Sequence, residues 1–226
     1  MAEIHSRISI QVGLSGYSFK IEDQEGGRQS GWKGADTIFT VKELQKRYSE
    51  VEVSVFTPYC SLVPKNFHQP LQSRSMLEEV VTLPENASVN SIDVPEFDAV
   101  LLYSTSIGGT LHKVISESVL AVDGSKSSPV PELYYMLRGV GGISDYNRIL
   151  ASYMDGYLYL TVAQGKTLLV CNSFKAPDFT TAEYFIFMTL KKLQLNPEVS
   201  TIYFRTPLSE EQEISLYRYF KSVETL

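Results

Sequence analysis

The sequence predicts an α/β protein in which one structural unit is used twice. Three observations carry that expectation. The stretch Leu14-Ser15-Gly16-Tyr17-Ser18-Phe19 has a counterpart in Met154-Asp155-Gly156-Tyr157-Leu158-Tyr159. The first copy lies within period-2 alternation of apolar and polar residues, the pattern of a β-hairpin turned at its Gly-containing pair, and the second lies among three β-rich segments separated by short Gly turns. Around both copies the same order recurs, a meander followed by helix, strand and helix, and residues 123–131 (DGSKSSPVP) between them have the composition of a linker. The halves are accordingly expected at 1–125 and 126–226.

Residues 7–13 and 17–21 alternate and read as paired strands around Ser15-Gly16, with Gly16 expected to supply a positive φ. The acidic, Gly-rich residues 22–31 read as a loop, 37–41 as a third strand, 41–48 as a short helix and 51–56 as a strand. Residues 64–80 are helical in pieces broken by Pro70, 97–103 form an apolar buried strand, and 104–117 turn into a helix. Past the linker, 132–139 read as a helix stopping at Gly139. Residues 148–154, 157–163 and 166–174 form a meander turned at Asp155-Gly156 and Gln164-Gly165. Thr180 and Glu183 have capping-box spacing, with Phe179 and Tyr184 placed as a hydrophobic staple, and predict a helix running to about Leu195. Residues 200–206 read as a strand. Ser209 and Gln212 open a last helix through about Lys221, and residues 223–226 could start a strand that has nowhere to continue.

At 226 residues, 43% hydrophobic and 20% charged, the chain can bury a sizeable core. A net charge of −6 with dispersed Lys and Arg argues against a nucleic-acid partner. The first residues, MAEIHSR, hold no apolar signal segment, and no apolar run reaches membrane-spanning length, so neither secretion nor a membrane partner is expected. Cys60 and Cys171 each lie in or beside apolar stretches and read as buried, reduced thiols of a cytoplasmic protein.

The stretches ISIQVGLSGYSFKIED, DGYLYLTVAQGKTLLVCNSF and AEYFIFMTLKKLQLNPE resemble a bacterial domain-of-unknown-function family with an actin-like ATPase fold, over about Ile8 to Phe220. The resemblance implies two ribonuclease-H-like halves in an actin-like arrangement. It also implies that both hairpin turns face a cleft, where such folds hold nucleotide phosphates and Mg²⁺ with an Asp at the end of the first strand of each half. The matching residues are Ser15 and Gly16 in the first turn and Asp155 and Gly156 in the second. The first turn has no acid, and in the second Asp155 adjoins Gly156 directly. A single carboxylate is a poor metal holder, which speaks against hydrolysis. The expectation is therefore a non-enzymatic cytosolic binding or scaffold protein with a protein partner and no cofactor. The alternative is a nucleotide-binding protein or weak ATPase that takes ATP and Mg²⁺ at these four residues.

Other motifs carry less. Asp155-Gly156 is first of all a favoured hairpin-turn dipeptide. Ser106-Ile107-Gly108 matches half of a nucleophile elbow, but Ser104 stands where Gly is needed, and His112, the one later His, lies on the same helix. The amides beside Gly108 and Gly109 open a helix and could hold an anion. Gly139-Val140-Gly141-Gly142 follows a helix and lacks dinucleotide-binding spacing. His5, His68 and His112 have no partners at ligand spacing, so no metal is expected. The run Tyr184-Phe185-Ile186-Phe187 wraps most of a helix and suggests one buried on two sides.

Overall fold

The computed structural model describes residues 6–24 and 26–226; His5 and the first residues of the chain lie outside them. In chain order the strands are β1 (Arg7–Val12), β2 (Gly16–Asp23), β3 (Gly26–Gln29), β4 (Lys33–Gly34), β5 (Glu50–Val55), β6 (Cys60–Pro64), β7 (Asn90–Val94), β8 (Ala99–Tyr103), β9 (Val130–Pro131), β10 (Asn147–Met154), β11 (Tyr157–Gln164), β12 (Thr167–Lys175), β13 (Thr201–Phe204) and β14 (Ser222–Thr225). The α-helices are α1 (Ser73–Glu78), α2 (Leu111–Ser118), α3 (Glu132–Val140), α4 (Phe179–Lys192) and α5 (Glu210–Tyr217).

The chain divides into two compact units. The first ends at Thr57 and resumes over Thr105–Glu132; the second takes Pro58–Ser104 and Leu133–Leu226. The position 125/126 falls inside the first unit's second segment, because β9 pairs in parallel with β5 and keeps the linker in that sheet.

The first unit is a sheet of order β3-β2-β1-β5-β9, with β4 also on β2. Ile10 lies opposite Phe19 on β2 and Val53 on β5, so period-2 patterning brings apolar side chains to one face. Ile8, Ile10, Val12, Tyr17 and Val53 pack there with Ile115 and Val119 from the α2 region. The expected strand at 37–41 is absent. Short 3-10 turns, Ala35–Thr37 and Lys42–Gln45, stand there and bury Ile38 and Leu44. The chain instead reverses in the predicted loop, where Gly26 takes a φ of 120° and Arg28 pairs with Asp23 at 2.7 Å, building β3.

The second unit contains a five-stranded sheet of order β12-β11-β10-β13-β14, which repeats the order of the first unit. Its meander β10–β12 follows the sequence reading. The expected last strand forms as β14, pairing in parallel with β13 from Thr201–Ser222 to Phe204–Thr225. The α4 N-cap is Asp178, whose carboxylate accepts from the Thr181 amide at 2.7 Å, so Thr180 and Glu183 form no capping box. Phe179 packs edge-on against Tyr153 instead of stapling to Tyr184, which is 61% exposed. The helix is buried on one face, through Ala182, Ile186, Thr189 and Leu190, and not on two. The Ser209–Gln212 capping box forms as expected. An antiparallel sheet of order β6-β8-β7 completes this unit, with Val100 and Leu102 packed against Leu77 of α1.

Buried weak acids set an alkaline limit on stability. Burial pushes Tyr48 from 10.0 to about 12 and Cys171 from 9.0 to about 12. Because the folded values are raised, this stability is fully present below pH 9 and is lost as pH climbs through about 12. Urea midpoints should be level between about pH 7 and 8.5 and fall above about pH 9. The fall should be shallower in Tyr48→Phe and Cys171→Ala; equal slopes in all three proteins would contradict this assignment.

Candidate functional site

In each unit a hairpin turn follows the first strand of the meander, at the carboxyl ends of a parallel strand pair, β1/β5 or β10/β13. Open α/β sheets take their ligands outside these ends. In the first unit the turn closes through the Gly13 amide donating to the Gly16 carbonyl at 2.9 Å. Leu14, Ser15 and Gly16 all have negative φ, so Gly16 is not there for a left-handed backbone. It is required because β4 crosses beside it. A Cβ at Gly16 would lie 2.6 Å from Trp32 Nε1 and closer still to the Lys33 carbonyl oxygen. The Ser15 carbonyl is also occupied, accepting from the Ala35 amide at 3.1 Å. The β4 crossing thus seals one side of this turn with a tryptophan and main chain, and Leu14, 50% exposed, stands at its tip.

Gly109 packs beside this turn: a Cβ there would meet Leu14 Cδ2 at 3.7 Å. The α2 N-terminus with Gly108 and Gly109 therefore adjoins Leu14 within the first unit. Its N-cap, Thr110, makes no side-chain cap. His112 is buried on this helix with no hydrogen bond to Nε2, and burial, followed by Lys113, lowers its pKa.

The sequence reading missed a buried carboxylate. Glu132 is fully buried and accepts from Gln11 Nε2 at 2.8 Å and Ser54 Oγ at 2.5 Å. Ser18 Oγ extends the chain, donating to Gln11 Oε1 at 3.2 Å. These polar residues occupy the face of the sheet opposite the apolar core, because Gln11 is in register with Ser18 and Ser54 on its two neighbours. The contacts span 121 and 78 residues, beyond any local motif. The signal available in the sequence was weak: uncharged polar residues on otherwise apolar strands, and an acid opening the apolar helix ELYYML.

In the second unit Asp155 and Gly156 have φ of 52° and 72°, as both central residues of a type I′ turn require. The Gly156 carbonyl accepts from the Ala176 amide at 2.8 Å, and Tyr153 OH donates to the Ala176 carbonyl at 3.1 Å. At the end of the neighbouring strand the Arg205 guanidinium lies 5.4 Å from the centre of the Tyr135 ring, and Thr206 Oγ1 accepts from the Tyr153 amide at 3.1 Å. This end of the unit thus carries Asp155 on the turn, with Arg205 and the hydroxyls of Tyr153 and Thr206 on the strand ends beside it. No group of three or more His, Cys, Asp and Glu suited to a metal ion occurs among the described residues.

Two sheets of one strand order, each with a hairpin turn at the carboxyl ends of its parallel strands, define an actin-like ATPase fold. The chain belongs to the family described as "Protein of unknown function (DUF3822)", which it matches over residues 3–223. It is similar to a crystal structure from Bacteroides thetaiotaomicron of a protein with actin-like ATPase fold and unknown function. That likeness has a TM-score of 0.67 at 14% identity, and covers 100% of this chain and 94% of the other. Weaker likenesses are to the PilM–PilN type IV pilus biogenesis complex, with a TM-score of 0.49, 13% identity, and 97% and 88% coverage. The ethanolamine utilization protein EutJ from Carboxydothermus hydrogenoformans gives a TM-score of 0.42, 10% identity, and 97% and 84% coverage. No curated protein matches the sequence. No helix among the described residues is long and apolar enough to cross a membrane.

Proposed function

We propose that this chain is a non-enzymatic binding or scaffold protein on an actin-like frame, cytoplasmic and directed at a protein partner, and that it does not hydrolyse ATP. The observation that carries the reading is the first turn. Where a metal-orienting acid is needed it offers Leu14 and Ser15, and Trp32 and Lys33 close off Gly16 from one side. Phosphoryl transfer relies on positioned metal and cationic or amide donors, and Asp155 is the one carboxylate contributed by the two turns.

A nucleotide-binding reading has one observation in its favour. Ser15, Gly16, Asp155 and Gly156 all stand at the carboxyl ends of parallel strands, and Asp155 could meet a hydrated Mg²⁺ already carried by ATP. Calorimetric titration with Mg-ATP, with phosphate release followed in the same samples, separates the readings. The scaffold reading expects no phosphate release above buffer. Saturable heat without release, lost in Asp155→Ala, would establish a non-hydrolysing nucleotide binder. Steady release abolished by Asp155→Ala would overturn the non-enzymatic proposal.

A further inference from the structure

The chain has two cysteines, and strands 111 residues apart bring both to one cavity of about 420 Å³ within the second unit. Its walls come from β6, β8, the segment after α1, the start of α3, and β12. Leu62, Val81, Leu101 and Leu133 supply the apolar part, and Ser61, Asn172 and Ser173 the uncharged hydrogen-bonding part. β6 and β12 are both outer strands of their sheets. Val80, 62% exposed, also lines the cavity and marks where it opens to solvent.

Among the described residues, no Asp, Glu, Lys, Arg or His lines this space. Burial keeps both thiols protonated, raising Cys60 well above 9.0 and Cys171 to about 12. An ionic ligand would lose its hydration here and gain no counter-charge. Behind this wall Thr161, fully buried, lies opposite Cys171 in the β11–β12 register with its hydroxyl beside the thiol. The volume is in the range of small-molecule sites, and the mixture of apolar walls with a few uncharged polar groups is their usual chemistry.

We propose that the cavity framed by β6, β8 and β12 is a binding site for a small uncharged organic molecule with an apolar body and one hydrogen-bonding end. The apolar body packs on Leu62, Val81, Leu101 and Leu133, and the polar end meets Ser61, Asn172 or Ser173. The site lies wholly in the second unit and is independent of the nucleotide question.

The neutral dye prodan, a naphthalene bearing a ketone, has this chemistry and serves as the test ligand. The expected result is saturable binding of one dye per chain with blue-shifted emission. Saturating dye should also slow alkylation of Cys171 by iodoacetamide at pH 9 at least fivefold, a readout that needs no variant. Val81→Trp, which fills the cavity, should weaken dye binding at least tenfold, whereas Val122→Trp on the exposed surface of the first unit should leave it unchanged. Absence of saturable binding, unchanged alkylation of Cys171 under saturating dye, or a folded Val81→Trp protein that binds as tightly as the parent would overturn the proposal. So would equal affinity for an anionic naphthalene sulfonate, because it would mean that the site does not select against charge.

Discussion

Glu132→Ala is expected to lower the stability of the protein by about 3 kcal/mol, the larger part of it from groups the substitution does not touch. The carboxylate accepts from Gln11 Nε2 and Ser54 Oγ in a fully buried setting. Removing it leaves an amide and a hydroxyl as buried donors with that acceptor gone, and each such donor costs about 1–3 kcal/mol. Glu132 also stands in the first turn of α3, where the helix dipole favours an acidic side chain. A double-mutant cycle isolates the coupling. Gln11→Leu in the Glu132→Ala background should cost less than in the parent, since its donor is already stranded. Urea denaturation monitored by circular dichroism gives all four stabilities. A loss below about 1 kcal/mol in Glu132→Ala, or strict additivity with Gln11→Leu, would show that the network contributes little.

Gly16→Ala should cost about 3 kcal/mol although φ at this position is ordinary for alanine. The added methyl would stand 2.6 Å from Trp32 Nε1, with the Lys33 carbonyl oxygen nearer, and main chain cannot rotate aside as the end of a side chain can. Gly156→Ala is the internal comparison. There a Cβ meets Pro177 Cα at 3.7 Å, an ordinary contact, and the cost of about 1 kcal/mol comes from a φ of 72°. The two glycines of the repeated motif thus serve opposite ends, one making room for a neighbour and the other permitting a backbone shape. Thermal denaturation of both variants tests the distinction. If Gly156→Ala proves the more damaging, close approach of β4 is not what requires Gly16. Trp32→Ala should in turn relieve part of the Gly16→Ala defect, because it removes one of the two obstructing groups.

The repeated architecture was legible in the sequence because local pattern dictates it. Alternation in ISIQV commits those residues to a strand, since only period-2 geometry places Ile8, Ile10 and Val12 on one face, and the β-rich run YLYLTV forms a strand buried on both faces. Asp155-Gly156 forms the turn its residue types favour, and Ser209–Gln212 caps the helix its spacing announces. The readings that failed were decided at a distance or by a competing local group. Asp178 took the capping role from Thr180 because its carboxylate reaches the Thr181 amide. TIFTV looks like a strand, yet Ile38 is buried from a turn while Gly26 reverses the chain early and supplies other strands to β2.

The candidate sites divide in the same way. Ser15, Gly16, Asp155 and Gly156 could be singled out because two turns share a local pattern. Their sequence also showed that the first turn lacks an acid. Only the tertiary structure decided why Gly16 is glycine, since the obstruction comes from Lys33 of β4 and from Trp32 just before it. Only it joined Gln11, Ser54 and Glu132 into one buried network, because parallel pairing of β1 with β5 sets residues far apart in the chain into register. Burial of Cys60 could be read from its apolar neighbours, whereas Cys171 is half-buried, and that both are walls of the same cavity could not be read. A strand's alternation determines which face a side chain takes, and the pairing and packing of distant strands determine what that face meets.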